Sequence, residues 1–198
     1  DGSVGKCGHM VNAKRFESFE DMDRSEWIKN IKNSMSEDKW PDECTRCEQS
    51  ERVKGESIRT NSIDRHKMLY PIRKDYLILG GVLDNVCNSA CQSCNAGLST
   101  KIGSLTSKNY PRVDNYDLFQ TLPLDRVIEL DVNGGEPTAS KNYKKVLNDL
   151  PANTKIVRMN TNGSRMIKEI EDVLKRNIMV IVTMSLDGIG SVHDYTRW

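Results

Sequence analysis

An α/β domain built on parallel strands, preceded by a small, polar and mainly helical or irregular module, is the architecture the sequence predicts. Three observations predict it. Four short apolar, β-branched segments recur from Tyr76 onward, helical stretches separate the last three, and polar text with its own cysteines fills the chain to about Met68. The last three strands start about 23 to 29 residues apart, the length a parallel crossover needs to return along a helix.

Taken in order, Asp23 and Glu26 have capping-box spacing, and Trp27, Ile28, Ile31 and Met35 mark one apolar face of the helix that follows. Pro41 ends that helix, and "WPDECTRCEQSE" sets Cys44 and Cys47 in a turn before another helix. "YLILGGVL" (76–83), "RVIEL" (126–130), "KIVRM" (155–159) and "IMVIVTM" (178–184) read as strands covered on both faces. "SKNYKKVLNDL" (140–150) and "MIKEIEDVLKR" (166–176) read as helices, the second with Ile167, Ile170, Val173 and Leu174 on one stripe. Each strand is followed by a Gly-rich or polar loop: "DNVCNSACQSCN", "DVNGGEPT", "NTNGS" and "SLDGIG". In parallel sheets and barrels such loops share one face, so the four are expected to surround a single ligand.

Composition narrows the function classes. A chain of 198 residues with 37% apolar and 29% charged content is large enough for one full core, which argues against disorder. Twenty-nine basic against 28 acidic residues give a formal charge of +1, so no global field favours nucleic acid or an anionic membrane as partner. The longest apolar run, around "IMVIV", is far too short to span a bilayer, and no charged-then-apolar leader opens the chain, so a cytoplasmic location is expected. The ends, "DGSVGKC" and "HDYTRW", are those expected of a fragment. Trp27, Trp40 and Trp198 read as core anchors, because no basic residues cluster round them as a base-stacking platform requires. His66 and His193 read as surface or cap groups, and "RHK" at 65–67 as a solvated face.

Six cysteines in clustered spacings suit metal ligation better than cross-linking. Cys87, Cys91 and Cys94 fall within eight positions, with no fourth cysteine nearby. An iron-sulfur cube takes four ligands; three cysteines would leave its fourth iron open to something other than protein. A zinc knuckle completed from a distance, a purely structural cluster and buried unligated thiols remain as alternatives.

The order "CNSACQSC", "NGGEP", "TNG" and "SLDG", each at the end of a predicted strand, resembles the radical S-adenosylmethionine (SAM) superfamily over about Leu77 to Trp198. The resemblance implies that residues 71–198 are a partial (βα) TIM-like barrel, truncated after the fourth strand, with a [4Fe-4S] cluster on Cys87, Cys91 and Cys94. It implies SAM bound to the open iron and cleaved, on receipt of an electron, to methionine and a 5′-deoxyadenosyl radical that abstracts hydrogen from substrate. Gly134 and Gly135 would then let backbone approach the methionyl ammonium, Glu136 would add charge or an acceptor beside it, and Pro137 would fix the turn. Asn160, Thr161, Asn162, Ser185 and Asp187 would offer groups to the ribose or carboxylate, or equally serve as caps and turn residues. Ser93 departs from the pattern, since the position before the last cysteine is often aromatic in this superfamily.

"DGSVGKC" followed by "CTRC" is similar to the auxiliary-cluster modules called SPASM and twitch domains, here over residues 1–70. That likeness rests on Gly2 to Val4, Cys7, Cys44 and Cys47 and implies a second iron-sulfur cluster. Cys7, His9, Cys44 and Cys47 could equally make a Cys3His zinc site. The expected activity is therefore a radical SAM oxidoreductase acting on a peptide or protein side chain, with flavodoxin or ferredoxin as electron donor. The competing class is a non-catalytic binding module stabilised by zinc or iron-sulfur clusters.

Overall fold

The computed structural model describes residues 5–69, 71, 75–106 and 109–197, so Gly2 to Val4 and Trp198, named above, lie outside the described residues. The chain divides into two compact units, one of Asp1–Tyr76 with Thr121–Pro123, the other of Leu77–Gln120 with Leu124–Trp198.

In the first unit, helix α1 (Phe19–Arg24) runs into α2 (Glu26–Ser36) through Ser25. Ser25 has extended φ and ψ, its Oγ accepts from the Ile28 N–H at 3.2 Å, and its own N–H donates to the Met22 carbonyl at 3.2 Å. One residue thus ends one helix and caps the next. The expected capping box on Asp23 is corrected: Asp23 lies in the last turn of α1, where it pairs with Lys32 at 3.2 Å. Ile28 and Ile31 are buried with Met22, but Met35 is exposed, so the apolar face is shorter than its periodicity suggests. Trp27 is half-buried; its ring stands 5.9 Å from that of Phe16, and its Nε1–H donates to Glu43 at 2.5 Å.

A 3-10 turn, Asp42–Cys44, leads into α3 (Thr45–Lys54), which ends at Gly55 with φ 74°, a left-handed cap that favours glycine. Cys44 lies in the turn as expected, whereas Cys47 lies in the first helical turn of α3. Helix α4 (Ile58–Leu69) is tied to α3 through Glu51, which accepts from Arg59 Nε at 3.0 Å and Ser57 Oγ at 2.5 Å. That guanidinium holds the Glu51 carboxyl below its ordinary range. Arg59 also lies 4.5 Å over the Trp40 ring.

The second unit is a four-stranded parallel sheet in the order β1 (Leu77–Asp84), β2 (Val127–Gly134), β3 (Ile156–Thr161), β4 (Met179–Met184). Helices α5 (Thr100–Thr106) and α6 (Tyr116–Gln120) lie in the β1–β2 connection, α7 (Lys141–Asn148) and α8 (Lys168–Lys175) in the next two, and α9 (Ser191–Arg197) follows β4. Ile128, Leu130, Val157 and Met159 are buried, as are Tyr143, Val146 and Leu147 of α7 and Ile170 and Val173 of α8. Each fully buried aliphatic side chain of this kind contributes about 1.5–3 kcal/mol. Leu174, expected on the α8 stripe, is exposed instead.

Strand alternation puts Glu129, Asp131 and Asn133 on the sheet face opposite Ile128, Leu130 and Val132. There Glu129, fully buried, takes a 2.5 Å hydrogen bond from Arg158 Nε on β3. Coverage of both faces, expected for all four strands, holds along β2 but not along the two outer strands: Gly80, Gly81 and Val82 of β1 are exposed, as are most residues of β4. Among the described residues no helix is long and apolar enough to cross a membrane.

Candidate functional site

Because the strands are parallel, Asp84, Gly134, Thr161 and Met184 close them at one edge, and the four loops singled out by sequence leave from that edge. The cysteine loop is pinned at its root by amides and hydroxyls. Buried Asn85 donates through Nδ2 to the carbonyls of Pro111 (2.8 Å) and Gly97 (3.2 Å) and accepts from the Val113 N–H at 3.0 Å. Thr100 Oγ1 accepts from the Cys87 N–H at 3.1 Å, and Ser99 Oγ donates to the Ser89 carbonyl at 2.8 Å. A turn follows, with the Cys94 N–H donating to the Cys91 carbonyl at 3.1 Å.

All six cysteines are free. Burial pushes the Cys87 thiol up; the Ser89 N–H, 3.4 Å from Cys87 Sγ, works against that, while the Cys91 and Glu136 charges add to it. Metal binding has to displace such a proton, and a cation would reverse the repulsion between neighbouring thiolates. Ser93, where an aromatic was expected, is exposed.

The GGEP loop lies directly against this root. Gly135 N–H donates to the Asp84 carbonyl at 3.1 Å and Glu136 N–H to the Val86 carbonyl at 2.7 Å. A Cβ on Gly134 would stand 2.2 Å from the Asp84 carbonyl oxygen, and one on Gly135 2.3 Å from that of Val86. Both glycines are therefore required by backbone on the neighbouring loop, a reason that sequence did not supply. Gly135→Ala is expected to cost about 1–3 kcal/mol, because the obstructing atoms are main chain and cannot rotate away; a urea unfolding midpoint measures it.

Glu136 is 2% exposed. Its Oε1 accepts from Thr138 N (3.0 Å), Thr138 Oγ1 (2.6 Å) and Thr161 Oγ1 (2.7 Å), and its Oε2 from the Asn162 N–H (2.7 Å). This carboxylate joins the loop after β2 to the loop after β3. Pro137 starts the 3-10 turn Pro137–Ala139, and Ser140 Oγ caps α7 while donating to buried Asp84 at 2.5 Å. Burial raises the Asp84 carboxyl above its ordinary range, against the pull of Ser140 and the Val86 N–H.

From the third loop, Asn162 Nδ2 donates to Ser89 Oγ (2.8 Å) and Asn88 Oδ1 (3.0 Å), and Asn88 Nδ2 returns a bond to Ser164 at 2.9 Å. Asn160, on the exposed end of β3, donates its N–H to Asn133 Oδ1 at 3.0 Å. In the fourth loop the Ser185 N–H donates to the Thr161 carbonyl at 2.9 Å, and Asp187 Oδ2 lies 2.6 Å from Arg197 Nε. Helix α9 then meets the cysteine loop: Gln92 donates through its N–H to the Thr196 carbonyl (3.0 Å) and through Nε2 to that of Tyr195 (3.2 Å).

The remaining cysteines belong to the first unit. Val11 N–H donates to the Glu43 carbonyl at 2.9 Å, which brings the Cys7 segment to the 3-10 turn bearing Cys44, and His9 N–H lies 3.4 Å from Cys7 Sγ. Cys44 is buried, and its thiol is pushed up first by burial, then by the charges of Cys47, Cys7 and Glu43. Among the described residues, no group of three or more His, Cys, Asp or Glu side chains is arranged to hold a single metal ion. A cube asks something different, since each thiolate reaches its own iron. The donor set on residues 87 to 94, three free thiols on one anchored loop, suits that chemistry.

Asp84, Asn85, Asn88, Ser89, Ser99, Thr100 and Arg197 were not singled out by sequence. Asn, Ser and Thr beside cysteines look like any loop there, and only the pairing across loops distinguishes them. Arg197 stands about a hundred residues from Cys91, beyond any local pattern.

No protein-family model matches the chain. It is similar to mycofactocin maturase MftC of Mycolicibacterium smegmatis, 29% identical over 116 residues, which cover 58% of this chain and 29% of that protein. It is also similar to mycofactocin maturase MftC of Mycobacterium tuberculosis, 28% identical over 117 residues, with the same shares, 58% and 29%. The matched segment thus spans less than a third of the length of these curated relatives. At the level of superfamily, the likeness supports the radical SAM relationship.

Proposed function

We propose that this chain holds the first part of a radical SAM barrel, residues 71–198, and an SPASM/twitch-like auxiliary-metal module, residues 1–70. One observation carries the reading. The loop bearing Cys87, Cys91 and Cys94 is hydrogen-bonded to the GGEP loop through Val86 and Glu136 and to the NTNG loop through Ser89 and Asn162. Three loops separated in sequence share one edge, where a ligand bridging cluster and protein would dock.

Cys87, Cys91 and Cys94 would hold a [4Fe-4S] cluster, with SAM beside the GGEP loop. When bound, this pair supplies one-electron cleavage of SAM and a radical able to take hydrogen from substrate. The chain's own residues supply position. Gly134 and Gly135 keep the GGEP backbone close to the cysteine loop and open to a methionyl ammonium. Glu136, buried below, fixes Thr138, Thr161 and Asn162, so that Asn160 and Ser185 are polar groups left to meet a nucleotide, while Asp187 is paired with Arg197. Cys7, Cys44 and Cys47 would hold an auxiliary iron-sulfur cluster; among the described residues, the zinc alternative with His9 has no side-chain arrangement that supports it. The substrate class we propose is a peptide or protein side chain, which the word maturase in the relatives' names supports. Flavodoxin or ferredoxin is the class of electron donor, and the cytoplasm the compartment.

The full-length protein, reconstituted with iron and sulfide without oxygen, reduced with dithionite and given SAM, is expected to release 5′-deoxyadenosine. Cluster absorbance without that product would favour the non-catalytic metal-stabilised module instead.

A further inference from the structure

Arg197 is the last residue of α9, yet its side chain does not run out to solvent; it is 18% exposed. Its Nη1 lies 3.8 Å from Cys91 Sγ, and its Nε lies 2.6 Å from Asp187 Oδ2 in the loop after β4. The Asp187 contact is ionic and not a straight hydrogen bond. Two backbone-directed bonds from Gln92 hold the carbonyl end of α9 against the same loop, so the guanidinium arrives on a fixed support. An arginine carries its charge in any protein setting, so the guanidinium here is a fixed positive group. Arginine suits this position because its planar fork can meet a carboxylate with one edge and a sulfur with the other.

We infer that Arg197, held by Asp187, donates to the Cys91 sulfur and sets how readily the cluster accepts an electron; the inference rests on the reading that Cys87, Cys91 and Cys94 hold that cluster. Reduction adds one electron from an external low-potential donor and one unit of negative charge, with no atom transferred and no proton moved at Arg197. A guanidinium and its N–H against a ligating sulfur stabilise that added charge, and hydrogen bonds to sulfur and local charge are among the determinants of cluster potential. Asp187 offsets part of the field but fixes where the positive charge sits. Arg197 is thus a positioning and tuning residue that touches a ligand of the cluster.

The test is a redox titration of the full-length protein followed by the paramagnetic signal of the reduced cluster, in wild type, Arg197→Gln and Arg197→Lys. Iron and sulfide are counted in each. Arg197→Gln is expected to make reduction about tenfold less favourable, which for one electron is a fall of about 59 mV. Arg197→Lys, which keeps the charge and loses the fork, is expected to fall less. Equal potentials in wild type and Gln, or equal falls in Gln and Lys, with cluster content unchanged, overturn the inference while leaving the cluster reading standing. A wild-type protein that binds no cluster overturns both.

Discussion

Cys91→Ala is expected to abolish SAM cleavage, with 5′-deoxyadenosine falling by more than about 100-fold, beyond what losing an outer partner of a metal site costs. If Cys87, Cys91 and Cys94 hold the proposed cube, the substitution removes one of its three thiolates, so cluster loss and activity loss should coincide. The fold has little reason to follow. Cys91 contributes its carbonyl, not its side chain, to the turn with Cys94, and alanine preserves that carbonyl. Its thiol is half-buried, and its charge-assisted contact is the one from Arg197 at 3.8 Å. Any metal that Cys7, Cys44 and Cys47 hold is expected to remain, since those residues belong to the other compact unit. Metal analysis of the purified variant, beside product analysis, reads both outcomes. If iron at both sites fell together, the division into two independent sites would be wrong.

Parallel strands were legible because buried strands must be largely apolar, as Val127, Ile128, Leu130, Ile156, Val157 and Met159 are; Glu129, buried among them, is the exception and is paired with Arg158. The same rule misread β4, which has an apolar sequence but stands at an edge. Helix α8 was legible from its stripe, yet Leu174 faces out, because a stripe fixes a direction and not the width of what covers it. The start of α2 misled for a different reason. Two residues in the neighbourhood can cap, and Ser25 prevails because α1 already occupies Asp23.

At the site, residue types were legible and their partners were not. GGEP announces a tight backbone approach, but the sequence does not say to what; the obstructing atoms belong to Asp84 and Val86, about fifty positions earlier. Glu136 reads as a charge offered to a ligand, whereas its carboxylate oxygens are engaged by donors from its own loop and the next. Pairings between loops depend on strand order and register, which local spacing does not encode.

That engagement makes Glu136→Ala the substitution with the largest expected effect on stability, a loss of about 3–5 kcal/mol. Two of the four donors are backbone N–H groups, of Thr138 and Asn162, which cannot turn away to find water as a hydroxyl can. Removing the carboxylate strands them at a residue only 2% exposed, and each buried orphan costs about 1–3 kcal/mol. Glu136→Gln separates the charge from the acceptor. An amide has one acceptor oxygen, and in either orientation its NH2 faces a backbone N–H that the carboxylate had satisfied. The hydroxyls of Thr138 and Thr161 can rotate to accept, so the expected loss is smaller, about 1–3 kcal/mol. Urea unfolding of the three proteins measures the series. A second readout distinguishes a clasp from a direct ligand contact: if Glu136 acts by fixing the loops, Glu136→Gln weakens SAM binding in proportion to the loosening of the Asn162 segment, seen as faster amide exchange at Asn162 and Gly163. Normal exchange there with SAM binding lost would instead place the carboxylate against the ligand, and a Glu136→Ala loss below about 1 kcal/mol would mean that the loops are held by other bonds.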